Sequence, residues 1–110
     1  MKTPKFSPEL VELVKNGSKT TTWRIFDDKD LQTGDFVTFI KRPELTPFAE
    51  AKITNVVTKP IKNLTDQDKE GHEDVGTQEA MYQTYSKYYN REVNPDTEVK
   101  IIKFEVLKFL

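Results

Sequence analysis

Residues 17–24 read Gly17-Ser18-Lys19-Thr20-Thr21-Thr22-Trp23-Arg24, so a glycine delivers an amine, three threonine hydroxyls, an indole and a guanidinium within eight residues. On an extended strand Thr20, Thr22 and Arg24 share one face and Thr21, Trp23 and Ile25 share the other. The Trp23 face is expected to enter the core, which turns Thr22 and Arg24 toward solvent or a cleft. Lys19 has the wrong parity for that cleft, but a long side chain beside a glycine turn can reach over. β-Propensity alone also accounts for these threonines as the polar face of a half-buried strand. The stretch is not a phosphate loop, because the Walker glycine spacing is absent and the helix precedes the lysine.

A second cluster, Glu70-Gly71-His72-Glu73, lies in an acidic segment. Gly71 permits a turn that would hold a carboxylate against a cleft. Clustered carboxylates raise one another's pKa, which suits proton transfer. The plain alternative is a solvated acidic loop. The two clusters carry opposite charge. Residues 1–25 hold Lys2, Lys5, Lys15, Lys19 and Arg24 against Glu9 and Glu12, a net of +3, while residues 64–79 hold six acids against Lys69, a net of −5. A cationic strand facing an acidic loop across one cleft is the arrangement this polarity suggests.

Composition narrows the chemistry further. The chain has 110 residues and a net charge of −1, with no cysteine and one histidine. One domain is expected, spanning residues 1–110. Thiolate chemistry, disulfides and sulfur-ligated zinc are excluded. His72 has no second histidine to share a metal, so no metal and no organic cofactor is implied. Near-neutral charge removes bulk attraction to nucleic acid or membrane, so an anion site must be a local patch. No segment approaches the ~18 apolar residues of a membrane span, and the N-terminus lacks the apolar run of a signal peptide. A cytoplasmic monomer with no membrane partner is the expectation.

The elements that position these residues are legible in outline. Ser7-Pro8-Glu9 opens a helix over about 8–16, capped by Ser7 and ended by Asn16-Gly17. Lys19–Phe26 and Phe36–Ile40 read as strands, with Asp27-Asp28-Lys29-Asp30 as a polar connection and Leu31–Asp35 as a turn. Residues 41–47 read as a loop with two prolines, and Phe48–Thr58 as a third strand whose Val56-Val57 pair suggests a phase change or burial on both faces. Thr65 caps a helical turn, and Thr77 opens a second helix. Tyr82, Tyr85, Tyr88 and Tyr89 on that helix are spaced for packing, although tyrosines also stack bases. Val99–Phe109 closes the chain, with a change of phase at Ile101-Ile102 that marks a bulge or a strand bending round a barrel. Three strands joined without helices argue against a parallel βαβ sheet. The expected class is α+β, a small bent β-barrel with flanking helices.

In this order, Gly17-Ser18-Lys19-Thr20-Thr21-Thr22-Trp23-Arg24, Leu31-Gln32-Thr33-Gly34-Asp35-Phe36-Val37 and Leu64-Thr65-Asp66 through Glu70-Gly71 resemble the ASCH domain of the PUA-like superfamily. The resemblance spans nearly the whole chain. It implies a small bent barrel and an association with RNA or nucleoside chemistry. Small bacterial members include N4-acetylcytidine amidohydrolases, and the match of motifs implies Lys19, Thr22 and Glu70 as the catalytic set. Glu70 is preferred because Gly71 follows it, and Glu73 is the competing acid. Arg24, Thr20 and Gly71 would line the substrate cleft.

Under that resemblance Thr22 is the nucleophile, Lys19 takes its proton, and Glu70 passes a proton to the departing amine. Arg24 or backbone amides near the strand entrance would stabilise the oxyanion. The expected partner is a modified nucleoside or RNA. The leading reading is an amidohydrolase acting on an acylated nucleoside such as N4-acetylcytidine. Its alternatives are a non-catalytic RNA-binding PUA-like module and an RNA-cleaving member of the same family.

Overall fold

The computed structural model describes residues 2–26, 29–73 and 76–110. The expected connection at Asp27-Asp28 and the Asp74 of the acidic run lie outside the described residues.

Five strands and three α-helices follow in the order β1 (Lys5–Phe6), α1 (Pro8–Lys15), β2 (Thr21–Ile25), β3 (Phe36–Lys41), β4 (Thr46–Pro60), α2 (Asp66–Lys69), α3 (Gln78–Tyr89) and β5 (Glu98–Phe109). A 3-10 turn, Ile61–Asn63, joins β4 to α2. The sheet order is β1-β3-β4-β5-β2, and only β1 with β3 is parallel. The sheet curls into a half-barrel of the α+β class that the sequence suggested.

The long antiparallel pair of β4 and β5 forms the middle of the sheet. Two irregularities bend it. Ile53 and Asn55 pair with the consecutive residues Phe104 and Lys103, so Thr54 bulges out of β4, and the register shifts again between Glu50 and Ala51. Bulges add local bend and twist, and here they wrap the ribbon so that its two faces bury separate cores.

One core holds Phe6, Val11, Val14, Phe39, Phe48, Ile102 and Phe104 under α1. Phe39 is at its centre, 4.7 Å from the Phe6 ring and 4.9 Å from the Phe104 ring. The other core holds Trp23, Ile25, Ile61, Met81, Val93, Val99 and Ile101 under α3. Ile101 and Ile102 therefore point to opposite faces and are both buried. The doubled isoleucines report a strand covered on both sides, and the bulge itself falls in β4, two residues further along the ladder. At Val56-Val57 the phase change is the alternative that holds: past the bulge at Thr54 the half-buried Val56 packs on the first core and Val57 is exposed.

The helix termini follow local chemistry. Pro8 takes the first turn of α1, but the Ser7 side chain makes no capping bond, contrary to expectation. The α2 turn is closed by a full capping box, with the Thr65 hydroxyl accepting from the Asp68 amide and the Asp68 carboxylate accepting from the Thr65 amide. Lys59 adds a 2.7 Å ion pair to Asp68. The expected loop at 41–47 is shorter than predicted, because β4 already begins at Thr46.

Two short strands are the open edges. β1, a two-residue strand that carries no readable periodicity, lies at one end of the sheet order, and β2 lies at the other. Among the described residues no helix is long and apolar enough to cross a membrane.

Candidate functional site

β2 alternates as its sequence predicts. Thr21, Trp23 and Ile25 are buried, and Thr22 and Arg24 are half-buried. Its main chain alternates as well. The Thr20 carbonyl accepts from Phe104 on the β5 side, whereas the Thr21 amide donates to the Gly71 carbonyl and the Ile25 amide to the Tyr89 hydroxyl. The intervening Trp23 N–H and C=O therefore face the open edge of β2, away from β5.

The segment after α2 is strapped onto this edge. The Gly71 carbonyl accepts from both the Thr20 and Thr21 amides, at 2.8 and 3.1 Å, and the Thr21 hydroxyl donates to the Glu70 carbonyl at 2.7 Å. Gly71 has φ +77°, and a Cβ there would come within 2.1 Å of the Thr20 hydroxyl oxygen. Glycine is thus required twice, for the left-handed turn and for the close approach to Thr20.

That turn decides which acid meets Lys19. Glu70 precedes it and is exposed. Glu73 follows it and reaches Lys19, whose ammonium stands 2.5 Å from the carboxylate and donates to the Thr21 carbonyl at 2.9 Å. Lys19 is only 2% exposed. Burial pulls its ammonium below the usual lysine range, and the charge and hydrogen bond of Glu73 offset part of that pull. Burial pushes the Glu73 carboxyl up, yet the Lys19 charge and hydrogen bond, with help from His72, outweigh it and hold the carboxyl below its usual range.

His72 completes the cluster. Its ring stacks on Trp23 at 3.7 Å with an interplanar angle of 15°. Nδ1 lies 2.8 Å from the Glu73 carbonyl, which only accepts, so Nδ1 carries the proton. Burial, then repulsion from Lys19, lower the His72 pKa to about 4, so the ring is neutral at neutral pH.

A cavity of about 230 Å³ opens in front of this cluster, at the seam between the two edge strands. Lys5 and Phe6 of β1 line one side, Thr22, Trp23 and Arg24 of β2 the other, and Tyr85 and Tyr88 of α3 close it, with Glu73 at its wall. Burial and then the nearby Glu73 charge push the Tyr85 phenol above its ordinary pKa. The half-barrel leaves this seam because β1 and β2 do not pair with each other.

The sequence-derived residues are distributed unequally around the cavity. Thr22 and Arg24 line it, and Lys19 stands behind Glu73. Glu70 contributes its carbonyl to the strap, and Thr20 and Gly71 pack on one another. Tyr85, one of the tyrosines singled out on the second helix, lines the cavity, whereas sequence reasoning missed the stacking of His72 on Trp23 and the arrival of Lys5 and Arg42, which no local pattern announces. Among the described residues no group of three or more acids or histidines could hold a metal.

The ASCH domain family matches residues 2–108. The chain belongs to the ASCH domain family. The PUA-like fold of this ASCH domain matches solved structures over almost its whole length. An Enterococcus faecalis V583 protein superposes with a TM-score of 0.77 at 19% identity, covering 99% of this chain and 77% of that one. An ASCH domain from Lactobacillus crispatus gives 0.72 at 16% identity, over 99% and 81%. ASCH from Zymomonas mobilis gives 0.66 at 14% identity, over 97% and 68%. At these identities the likeness is one of fold. A comparison with curated proteins finds no match.

Proposed function

We propose that this ASCH domain is an amidohydrolase that removes the acyl group from an acylated nucleoside such as N4-acetylcytidine. The observation that carries the reading is the ion pair of the buried Lys19 with Glu73, whose partly exposed carboxylate borders a small cavity also lined by Thr22. The cavity lies just below the ~300–1,000 Å³ of sites for drug-sized ligands, a scale suited to one base and its substituent. Its aromatic wall offers ring faces for a pyrimidine.

The Thr22 oxygen attacks the acyl carbon as its proton passes to the Lys19–Glu73 pair. Glu73 is the member of that pair on the cavity, and Lys19 fixes its position and shares the proton from behind. The open-edge N–H of Trp23 and the Arg24 guanidinium supply donors for the oxyanion. Collapse breaks the bond from the acyl carbon to the exocyclic nitrogen, and the pair returns its proton to the departing amine. Water then cleaves the acyl-threonine ester, so that substrate and water yield cytidine and acetate.

The test is chromatographic measurement of cytidine and acetate from N4-acetylcytidine. Thr22→Val keeps the shape of the side chain and should lower kcat by about 10³-fold or more, while Thr22→Ser should keep measurable turnover. Turnover unaffected by Thr22→Val overturns the nucleophile. Absence of turnover in the native protein, together with saturable binding of cytidine, would move the site to the binding-module reading.

A further inference from the structure

Along the open edge of β2 the main-chain groups are engaged in turn, with one gap. The Thr21 amide donates to Gly71 and the Thr21 carbonyl accepts from Lys19, while further along the Ile25 amide donates to the Tyr89 hydroxyl. Between them Trp23 presents an N–H and a C=O that have no hydrogen-bond partner among the described residues, although only 5% of the residue is exposed. A nearly buried strand residue with both main-chain groups unpaired is uncommon and costly. Glu73 and Tyr89, on either side of the gap, line the cavity together with Trp23, so the unpaired groups face that cavity.

Tyr85 gives a second, independent observation. Four tyrosines lie on α3. The hydroxyls of three are engaged, Tyr82 with Gln78, Tyr88 with Arg42 and Tyr89 with Ile25. The Tyr85 hydroxyl has no hydrogen-bond partner among the described residues, and Tyr85 lines the same cavity. Burial and the Glu73 charge keep this phenol protonated, so it has a proton to donate.

The two groups differ in a way that decides what they select. A main-chain carbonyl in a paired strand only accepts and cannot turn, whereas a phenol donates where an acceptor is offered. Together they match a planar edge that carries an N–H beside a ring nitrogen, as in a 4-aminopyrimidine. Cytosine presents that order through its exocyclic N–H and its N3, and an acyl group on the exocyclic nitrogen leaves both in place. Uracil presents the reverse order, which turns its O4 against the carbonyl oxygen.

We propose that the Trp23 carbonyl and the Tyr85 hydroxyl select the base, the carbonyl accepting from the exocyclic N–H and the hydroxyl donating to N3, so that the cavity takes a 4-aminopyrimidine or its acylated form and rejects a 4-oxopyrimidine. The kind of ligand rests on the nucleoside reading above, and the choice between bases rests on the two unpaired groups. The Trp23 N–H is left for the oxyanion.

NMR titration of the native chain with cytidine, uridine and N4,N4-dimethylcytidine tests this. Cytidine should bind at least about tenfold tighter than uridine, and at least about tenfold tighter than the dimethyl compound, which keeps the ring nitrogen but has no exocyclic N–H. Tyr85→Phe keeps the ring and should weaken cytidine binding by about three- to tenfold, with a smaller change for uridine, so that the ratio of the two affinities falls. A purely structural role for Tyr85 would lower both affinities alike and leave the ratio as it was. Cytidine bound no more tightly than uridine or than the dimethyl compound, no saturable binding of cytidine, or a ratio unchanged in Tyr85→Phe overturns the base selection. Turnover of N4-acetylcytidine is read separately. Selection of cytidine without turnover would count against the hydrolase reading alone, and turnover by a chain that binds cytidine and uridine alike would count against base selection alone.

Discussion

The Lys19 ammonium and the Glu73 carboxylate meet at 2.5 Å across 54 residues of sequence. Lys19 is almost fully buried, whereas a quarter of the Glu73 side chain remains accessible. The pair is therefore asymmetric: one partner is sealed inside the protein and the other borders the cavity. An asymmetric pair of this kind lets a proton exchange with a ligand at the outer member while the inner member holds its geometry.

The two candidate acids separate by mutation. Glu73→Gln removes the charge that raises the Lys19 pKa, so the Lys19 amine should titrate at lower pH than in the native chain, followed by NMR of its side-chain nitrogen. The same substitution should cut turnover by about 10²–10⁴-fold, the usual scale for a lost general acid or base. Glu70→Gln should leave both the Lys19 titration and the rate close to native. A Glu70→Gln variant as impaired as Glu73→Gln would show that the acid before the glycine does the work.

His72 makes stability depend on pH. Its folded pKa of about 4 lies below the unfolded value of 6.5, so between these limits the unfolded chain binds the extra proton. Stability is full above pH 6.5 and falls as pH drops toward 4. The slope is about 1.4 kcal/mol per pH unit, for a total of about 3 kcal/mol. Urea titrations between pH 6.5 and 5, above the range where most carboxylates protonate, isolate the effect. His72→Phe keeps a ring against Trp23 and should flatten that slope. A slope unchanged in His72→Phe assigns the acid sensitivity to other groups.

Gly71→Ala tests the strap. An L-residue at φ +77° is strained by about 1–2 kcal/mol, and the collision with the Thr20 hydroxyl adds to it. A total loss of about 2–4 kcal/mol is expected in chemical denaturation. Thr20→Ala removes the colliding oxygen, so the double variant should be more stable than the sum of the two single losses implies. Strict additivity would mean that Gly71 and Thr20 do not press on each other.

The sequence by itself determined the class of fold, the alternation of β2, the capped turn at Thr65, the tyrosine-bearing helix and membership of the family through its spaced motifs. These are local properties: strand parity, cap chemistry and turn glycines act over a few residues and are written in neighbouring side chains. Only the tertiary structure decided which acid faces Lys19, because the left-handed turn at Gly71 and its contact with Thr20 set the direction of the chain after Glu70. It also decided that Ile101 and Ile102 serve two different cores, since the same apolar pair fits a bulge or a strand covered on both faces. The seam was likewise hidden. β1 is too short to show a period, and the meeting of Lys5, Arg24 and Arg42 depends on how far the sheet curls. That curl is fixed by the bulges and by packing across the sheet, which no single stretch of sequence contains.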